Sequence, residues 1–530
     1  MIPIKRLNNS LFSEKAFLLL VMIFSSFLLF FNLGDRNLGV DESWLAINVE
    51  NILLHGYPRA TITYNFLEPG FVPRHDSWFS YYTITASYLL FGITDFATRL
   101  PSALFGLMTI IIFYFFTKHY TKNVAIAQVS TLLLSTSYVF YIHARYARYF
   151  STVMFLCILC AYAYLRILDR GKRFDHLLFT ASQILLFYTQ IQLWAYFSAG
   201  MALHFFLFSF DKKRVKPFLI DTALILIFAL PWMTYWLLSR TLTQKVLSLS
   251  LFSFAFKIAV AFYYFFLIVF PLIFLLVLLF PNSRKAFISR RYSLVYCIIL
   301  TTLVLISIIG WNPLPEVRKI VSITLPFALI LAAEAFLFIM HRSKSLAAVL
   351  VLLFIFSNLL FIAAFYPLKY LGLEERIGYG GEHSAGFVER SLRFQPGLFQ
   401  LLYEITHDYQ SIHDSIFPLL DSLGLQDDRI VIQTDLDHNQ LNYQAGKRGF
   451  LALFIPLNAS AKADFYIANY DLSKRDLRLK YPEYASYAIN DYEDTPWMDS
   501  TDPIYRRYKK DDKRIMLLLA DPGRVAMVSP

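Results

Sequence analysis

The sequence is poor in cysteine. Only three of its 530 residues are cysteines, and Cys157, Cys160 and Cys297 all lie inside apolar stretches. A disulfide framework and a thiolate zinc site are therefore excluded, and redox chemistry is not expected.

The sequence is also poor in charge. Asp, Glu, Lys and Arg make up 16% of the residues, whereas about 25% is typical of soluble domains. Hydrophobic residues make up 57% of the chain and aromatic residues 18%. Long apolar stretches are correspondingly frequent, and the segment Phe252–Phe280 contains a single charge, Lys257. A wholly soluble protein is excluded, and the composition predicts a polytopic α-helical membrane protein.

Apolar runs of about 17–25 residues, the length that crosses a bilayer as a helix, recur along residues 1–370. We expect about eleven transmembrane helices. They begin near Phe17, Pro101, Val124, Phe150, Leu177, Leu193, Phe218, Ile258, Tyr292, Ile320 and Ser345.

The net charge of +11 is unevenly distributed along the chain. Residues 371–530 contain 18 Lys/Arg and 24 Asp/Glu, a net charge of −6, so residues 1–370 carry +17. This basic excess lies in the membrane part, where loop charge on the cytoplasmic side is the ordinary explanation, and no nucleic-acid partner is expected.

One further run, Phe79–Ile93, determines the topology. Its length and its polar start predict an interfacial helix that lies flat on the membrane. The basic clusters between the spans then all face the cytoplasm, as the positive-inside rule requires. An extracytoplasmic position is then predicted for the first long loop (34–78), the segments 143–149, 239–251 and 311–319, and everything after Tyr366. The membrane is predicted to be a plasma membrane of bacterial or archaeal type.

The pattern changes near residue 370. Short alternating helix-like and strand-like pieces follow, which predicts a soluble extracytoplasmic α/β domain at 371–530 after a transmembrane domain at 1–370. The soluble part has no Gly-rich phosphate loop and no nucleophile elbow, so no separate active site is indicated there.

Six of the 14 acidic residues in the membrane part lie in the first outer loop, namely Asp35, Asp41, Glu42, Glu50, Glu68 and Asp76. Asp41 and Glu42 open a segment that ends at Gly56 and reads as an amphipathic helix, with Leu45, Val49, Ile52 and Leu53 on one face. A helix N-cap and a first-turn dipole partner would explain the two acids structurally. A carboxylate pair that serves as a general base or holds a divalent cation is the functional alternative, and both readings can hold together.

Basic residues mark three other outer segments. Arg74 precedes His75 and Asp76, which read either as a hydrogen-bonded loop pair or as contacts to an acceptor or a cation. The other basic residues in this group are Arg145, Arg148, Arg318 and Lys319. They read either as interface anchors or as contacts to an anionic group, because an inward-facing arginine at a membrane requires a partner. Arginines and carboxylates at one face suit group transfer from a lipid phosphate.

At these residues the sequence resembles the GT-C membrane glycosyltransferases of the protein O-mannosyltransferase and lipid A aminoarabinose transferase superfamily. The matching pieces are Val40-Asp41-Glu42, Arg99-Leu-Pro-Ser-Ala-Leu-Phe-Gly106, His143-Ala-Arg-Tyr-Ala-Arg148, and Arg318-Lys319 with Pro326. The resemblance implies an inverting transfer from a monosaccharide on a polyprenyl phosphate. It also implies that Asp41 is the base, with Glu42 beside it assisting the acceptor or a cation, and that Arg74, Arg145, Arg148, Arg318 and Lys319 contact the donor phosphate. His75 and Asp76 would meet the acceptor or a cation.

The sugar and the acceptor stay open at this point, with a lipid, a cell-envelope glycan and a protein as candidate acceptors. No cofactor is indicated apart from that divalent cation. A transporter or flippase of lipid-linked glycans also needs basic residues along a membrane groove, but it favours charges near the midplane and inverted repeats, which the sequence lacks. A non-catalytic envelope scaffold of the same fold is the third alternative.

Overall fold

The computed structural model describes residues 13–58, 77–238, 251–281, 284, 287–309, 317–365, 394, 396–406, 413–422, 429–434, 438–456, 465–469, 485–492 and 514–520. These residues belong to two compact units. The first unit comprises Met1–Phe31, His75–Ser80 and Ser102–Ile405, and the second comprises Asn32–Arg74, Tyr81–Pro101 and Thr406–Pro530.

The fold is predominantly helical, as the sequence predicts. The helices up to residue 238 are α1 (Glu14–Phe30), α2 (Val40–His55), α3 (Trp78–Phe91), α4 (Asp95–Thr121), α5 (Val124–Thr136), α6 (Tyr138–Arg145), α7 (Phe150–Asp169), α8 (Arg173–Thr189), α9 (Ile191–His204, continued by a π-turn at Phe205–Ser209) and α10 (Lys212–Leu238).

The later helices are α11 (Leu251–Tyr264, continued by a π-turn at Phe265–Val269), α12 (Ser293–Ile309), α13 (Val317–Arg342), α14 (Lys344–Phe356), α15 (Leu359–Ile362), α16 (Leu398–Thr406), α17 (His413–Ser422) and α18 (His438–Lys447). Short 3₁₀ segments occupy Leu272–Leu279, Arg290–Tyr292 and Ala363–Phe365.

All eleven predicted apolar runs fall on described helices. Six are long and apolar enough to cross a membrane unbroken, at Asp95–Thr121, Phe150–Asp169, Ile191–Ser209, Lys212–Thr234, Arg290–Ile308 and Arg318–Arg342. Three more form bent pairs, at Val124–Arg145, Lys257–Leu279 and Lys344–Phe365, with bends of 61°, 91° and 102°. The remaining two runs correspond to α1 and α8, each 17 residues long.

Caps in the sequence explain where several of these helices begin. The Asn123 side chain accepts a hydrogen bond from the Ile126 amide at the start of α5, and Ser343 does the same for the Leu346 amide at the start of α14. Ser137 caps α6 through the Phe140 amide and so accompanies the 61° bend that follows α5. Each cap satisfies an amide that lacks a partner within its own helix.

Helix α13 is the most deeply buried span of the first unit, and it packs against α5, α7 and α12. Close packing of three other helices of this unit depends on Gly106 in α4. A Cβ added there would lie 2.7 Å from the Cβ of Ala144 in α6 and 3.3 Å from the side chain of Leu29 in α1. Because any side chain would separate the helices, glycine is required at this position.

The second unit contains a five-stranded mixed sheet, as expected for an α/β fold. Its strands are β1 (Val431–Thr434), β2 (Leu453–Pro456), β3 (Phe465–Asn469), β4 (Ala485–Tyr492) and β5 (Arg514–Ala520), in the spatial order β2-β1-β3-β5-β4. Strand β1 is parallel to β2 and β3, whereas β5 is antiparallel to β3 and β4. Helix α18 connects β1 to β2 and is held against the sheet by two hydrogen bonds between Asn442 and the main chain of Phe454.

Helix α2 lies between α3 and α18 in the second unit. Its residues Leu45, Val49 and Ile52 pack with Tyr81, Ile84 and Tyr88 of α3 and with Ala97 of α4. Three of the four positions predicted for one apolar face therefore share one cluster, but Leu53 is 36% exposed.

The polar side of α2 is buried as well. Asn48 and Asn51 are each only 1% exposed, and their side-chain amides donate to main-chain carbonyls one turn earlier in the same helix. Ala46 and Ile47 pack against Tyr443 of α18. The prediction of a simple amphipathic helix was incomplete, because α18 covers the side that the sequence assigns to water.

Glu50 of α2 lies in these partly buried surroundings, near Tyr88, Tyr443 and Asp95. Burial raises the pKa of the Glu50 carboxyl to about 7. The folded protein therefore retains a proton that the unfolded chain releases above its ordinary pKa of 4.5. The stabilisation of the folded state by this bound proton is fully present below pH 4.5. It is lost as the pH rises through about 7.

We expect Glu50→Gln to stabilise the protein at pH 8 by about 3 kcal/mol, because the amide avoids the cost of ionising a buried carboxyl. At pH 5 the two proteins should differ little. The apparent thermal midpoint in detergent, measured from pH 5 to 8, checks this. Asp35→Asn, at an exposed acid of the same loop, is the control. If the thermal midpoint of Glu50→Gln depended on pH as that of the wild type does, the raised pKa of Glu50 would be contradicted.

Candidate functional site

The start of α2 is fixed by Glu42 rather than by Asp41. Gly39 occupies the N-cap position, and the Oε2 atom of Glu42 accepts a hydrogen bond from the Gly39 amide at 2.9 Å. This is half of a capping box, since glycine has no side chain to return the contact. Asp41 is therefore a first-turn acid and not the N-cap that one structural interpretation of the sequence suggested.

Glu42 is fully buried and forms a two-point ion pair with Arg99 of α4. Nε of Arg99 donates to Oε1 at 2.9 Å, and Nη2 donates to Oε2 at 2.7 Å. Both oxygens of the Glu42 carboxylate are thus engaged. In this arrangement the carboxylate anchors the helix start, whereas Asp41 beside it is partly exposed.

The other hydrogen bonds of Arg99 fix the chain that leads into α2. Nη1 donates to the carbonyls of Leu33 at 3.2 Å and Arg36 at 2.7 Å, and Nη2 donates to the carbonyl of Asn37 at 3.0 Å. With the two bonds to Glu42, all five N–H groups of the guanidinium have acceptors. One side chain thereby defines the path from Leu33 to Glu42.

Arg99 was not among the sequence-predicted site residues. In the sequence it is only the first residue of the Arg99–Gly106 motif. The signal that could have found it is the requirement of a buried Glu42 for a cation, but 57 residues separate the pair and several other arginines were equally available.

A second group of candidates lies in the first unit, where α6 passes into α7. Arg148 is partly exposed, its guanidinium lies 5.7 Å from the ring centre of Tyr149, and its carbonyl accepts a bond from Ser102. The guanidinium of Arg318, at the start of α13, lies 5.3 Å from the ring of Tyr146 and 5.7 Å from that of Phe150. The residues Tyr146–Phe150 and Arg318 form what we term the arginine–aromatic cluster.

Arg145 and Lys319 have defined protein partners. Arg145 is 3% exposed, and its Nη1 atom lies 2.9–3.1 Å from the carbonyls of Leu28, Leu29 and Phe31. These groups end α1, so Arg145 caps the C-terminus of that helix. Lys319 donates from Nζ to Oε1 of Gln192 at 2.7 Å.

Arg74, His75 and Asp76, the remaining sequence-predicted site residues, lie outside the described residues. Within the described ranges, no group of three or more His, Cys, Asp or Glu side chains is arranged to hold a metal ion. Asp41 and Glu42 belong to the second unit, and the arginine–aromatic cluster belongs to the first.

Breaking the buried pair tests its structural importance. Arg99→Met should destabilise the protein by roughly 3–5 kcal/mol, because it leaves the buried Glu42 carboxylate without its cation. Arg99→Lys should recover little of this loss, since an ammonium cannot reproduce the five-donor geometry. The measurement is the apparent thermal midpoint of the purified protein in detergent.

The double variant Arg99→Met/Glu42→Gln should regain part of the stability, since no buried charge is then left alone. Arg173→Met, at an exposed arginine of α8, is the control and should change the midpoint little. A midpoint for Arg99→Met equal to that of the wild type would refute the anchoring role.

Comparisons with known proteins agree with this architecture. The family model of dolichyl-phosphate-mannose-protein mannosyltransferases matches residues 76–234. A protein of Aquifex aeolicus (strain VF5), described as uncharacterized, is 26% identical over 222 residues. That match covers 41% of this chain and 43% of the relative, less than half of either protein.

Two solved structures cover almost the whole chain. The crystal structure of ArnT from Cupriavidus metallidurans bound to undecaprenyl phosphate superimposes with a TM-score of 0.53 at 12% identity, covering 98% of this chain and all of that chain. The apo form of the same protein gives a TM-score of 0.55 at 12% identity, covering 97% and 99%. At this identity the likeness is one of fold. The whole chain therefore shares the fold of ArnT, and its residues 76–234 resemble the mannosyltransferase family.

Proposed function

We propose that this membrane protein is an inverting glycosyltransferase that moves a monosaccharide from a polyprenyl-phosphate donor to an extracytoplasmic acceptor. The observation that carries the proposal is the division of roles between two adjacent acids. Glu42 is buried and committed to Arg99, whereas Asp41 remains partly exposed at the start of the same helix. The proposal assigns the supporting role to Glu42 and the reacting role to Asp41.

In the proposed reaction Asp41 accepts the proton of an acceptor hydroxyl. The hydroxyl oxygen attacks the anomeric carbon from the face opposite the leaving group, so the configuration inverts. The bond between the anomeric carbon and the phosphate oxygen breaks, and the polyprenyl phosphate departs with an additional negative charge. Glu42 acts through Arg99 by holding the helix start.

Positive charge stabilises that departing phosphate. Arg148 and Arg318 are the candidates for this contact, because both are partly exposed and carry guanidinium groups, which suit bidentate recognition of a phosphate. Arg145 and Lys319 fit a supporting role better, given their bonds to α1 and to Gln192. His75 and Asp76 stay candidates for acceptor or cation contacts, and Arg74 stays a candidate for the phosphate.

The fold match to ArnT bound to undecaprenyl phosphate supports a lipid-linked donor for this chain as well. The family model, which describes transfer from dolichyl-phosphate mannose to protein, supports the same donor class. A lipid, an envelope glycan and a protein remain the acceptor classes. The sugar would be a hexose or a pentose.

Asp41→Asn tests the base. It should reduce sugar transfer by at least about 10³-fold, since the amide cannot accept the proton, while insertion and accumulation in the membrane remain normal. The assay uses membranes supplied with radiolabelled polyprenyl-phosphate sugars and follows release of the polyprenyl phosphate. Asp35→Asn, in the same loop, is the matched control and should retain activity.

Wild-type turnover in Asp41→Asn would refute the assignment of the base. If the wild-type protein moved the intact lipid-linked sugar across a vesicle bilayer without breaking its bond to phosphate, the protein would be a transporter and the proposal would fail.

Arg148→Gln tests the phosphate contact. We expect the donor KM to rise about tenfold with a smaller change in kcat, because a charge-assisted contact to the donor is lost. Initial rates over a range of donor concentrations give both constants. Arg173→Gln, at an exposed arginine of α8, should leave the donor KM unchanged. An unchanged KM in Arg148→Gln would contradict the role.

A further inference from the structure

Helix α18 packs directly on the helix that carries Asp41. The ring of Tyr443 is 1% exposed and belongs to one cluster with Leu38, Ala46 and Ile47. Ala46 and Ile47 lie one to two turns after Asp41 on α2. A part of the chain more than 380 residues further on therefore forms one wall of the packing around α2.

A second contact joins α18 to the first turn of α4. Asp95 is 3% exposed, and its Oδ2 atom accepts a hydrogen bond from Nζ of Lys447 at 2.9 Å. Its Oδ1 atom accepts a longer bond from the hydroxyl of Tyr443 at 3.4 Å. The negative charge of Asp95 also lies at the positive end of α4. The Asp95 carboxylate is thus stabilised both by the dipole of its own helix and by two side chains of α18.

The two ion pairs lie on one turn of α4. Arg99 follows Asp95 by four residues, and side chains at that spacing share a helix face. One turn therefore contacts α18 through Asp95 and the start of α2 through Arg99. Tyr88 of α3 reinforces this turn, because its hydroxyl lies 2.7 Å from Oγ1 of Thr98.

We propose that α18 sets the position of the catalytic carboxylate, with Lys447 and Tyr443 as positioning residues for Asp41. One route is the direct packing of Tyr443 on α2. The other runs from Lys447 through Asp95 and Arg99 to Glu42, the neighbour of Asp41. The inference rests on the proposed function, and it gives the C-terminal α/β part a role in transfer without an active site of its own.

The geometry indicates how a change at Lys447 reaches the base. Lys447 keeps 32% of its side chain exposed, so solvent screens its charge, and its main effect is to orient Asp95. Without it, the buried carboxylate keeps the longer contact with Tyr443 and its place at the positive end of α4, and the first turn of α4 can shift. A displacement of about 1 Å at a reacting group can cost up to about 100-fold in rate.

The test uses the full-length protein in detergent or native membranes. Lys447→Met removes the charge and keeps the aliphatic stem, Lys447→Arg restores the cation, and Tyr443→Phe removes only the hydroxyl. Arg429→Met, at an exposed cation in the same part of the chain, is the matched control. The two readouts are the kcat and donor KM of transfer and the amide hydrogen exchange of residues 45–55.

In Lys447→Met we expect kcat to fall about tenfold with the donor KM changed less than about twofold, and α2 amides to exchange about tenfold faster. Lys447→Arg should recover most of both effects, and Arg429→Met should show neither. Tyr443→Phe should show the same pattern more weakly. If Lys447→Met does not accumulate, Tyr443→Phe tests the positioning role by the same two readouts.

Faster exchange with an unchanged kcat in Lys447→Met would overturn the positioning role, and so would an unchanged exchange rate. If the wild-type protein transfers no sugar from any polyprenyl-phosphate donor, the proposed function fails. The exchange data for α2 then decide by themselves whether α18 holds this helix.

Discussion

The arrangement of the proposed site depends on one buried guanidinium. Arg99 is surrounded by the Glu42 carboxylate and three main-chain carbonyls, so each of its five N–H groups has an acceptor. A buried charge is tolerated only when its partners are complete. The loop before α2 therefore has one satisfactory conformation, and that conformation leaves Asp41, not Glu42, partly exposed. The different roles that we propose for the two acids rest on this single charge pair.

The same need for complete partners explains the difference between Arg145 and Arg148 in the segment 143–149. Arg145 is buried and finds its acceptors among the carbonyls that end α1. Arg148, three residues later, is partly exposed beside Tyr149, as Arg318 is over Tyr146 and Phe150. A helix end also offers a buried arginine hydrogen-bond acceptors and partial negative charge. The presence of an arginine in this segment is thus weak evidence for an anionic ligand.

Local pattern predicted the fold well and the site only in part. Apolar length located the eleven helical runs, and the 3.6-residue period placed Leu45, Val49 and Ile52 on one face. Contacts between distant segments leave no such pattern. The Glu42–Arg99 pair spans 57 residues, and the cover over Ala46 and Ile47 comes from Tyr443 of α18. The Arg145 cap was also unpredictable, because its acceptors are main-chain carbonyls that no side-chain motif marks.

The composition of the sequence and the packing of the chain divide this protein at different places. The change near residue 370 marks where the sequence becomes less apolar. Packing instead joins α2 to α18, because Leu38, Ala46 and Ile47 form one cluster with Tyr443. The pair between Lys447 and Asp95 joins α18 to α4. A loop between two spans need not be stabilised by its neighbours in sequence. Here its buried polar groups are completed by α4, and its second face is covered by α18, so the loop and the C-terminal sheet domain form one compact unit.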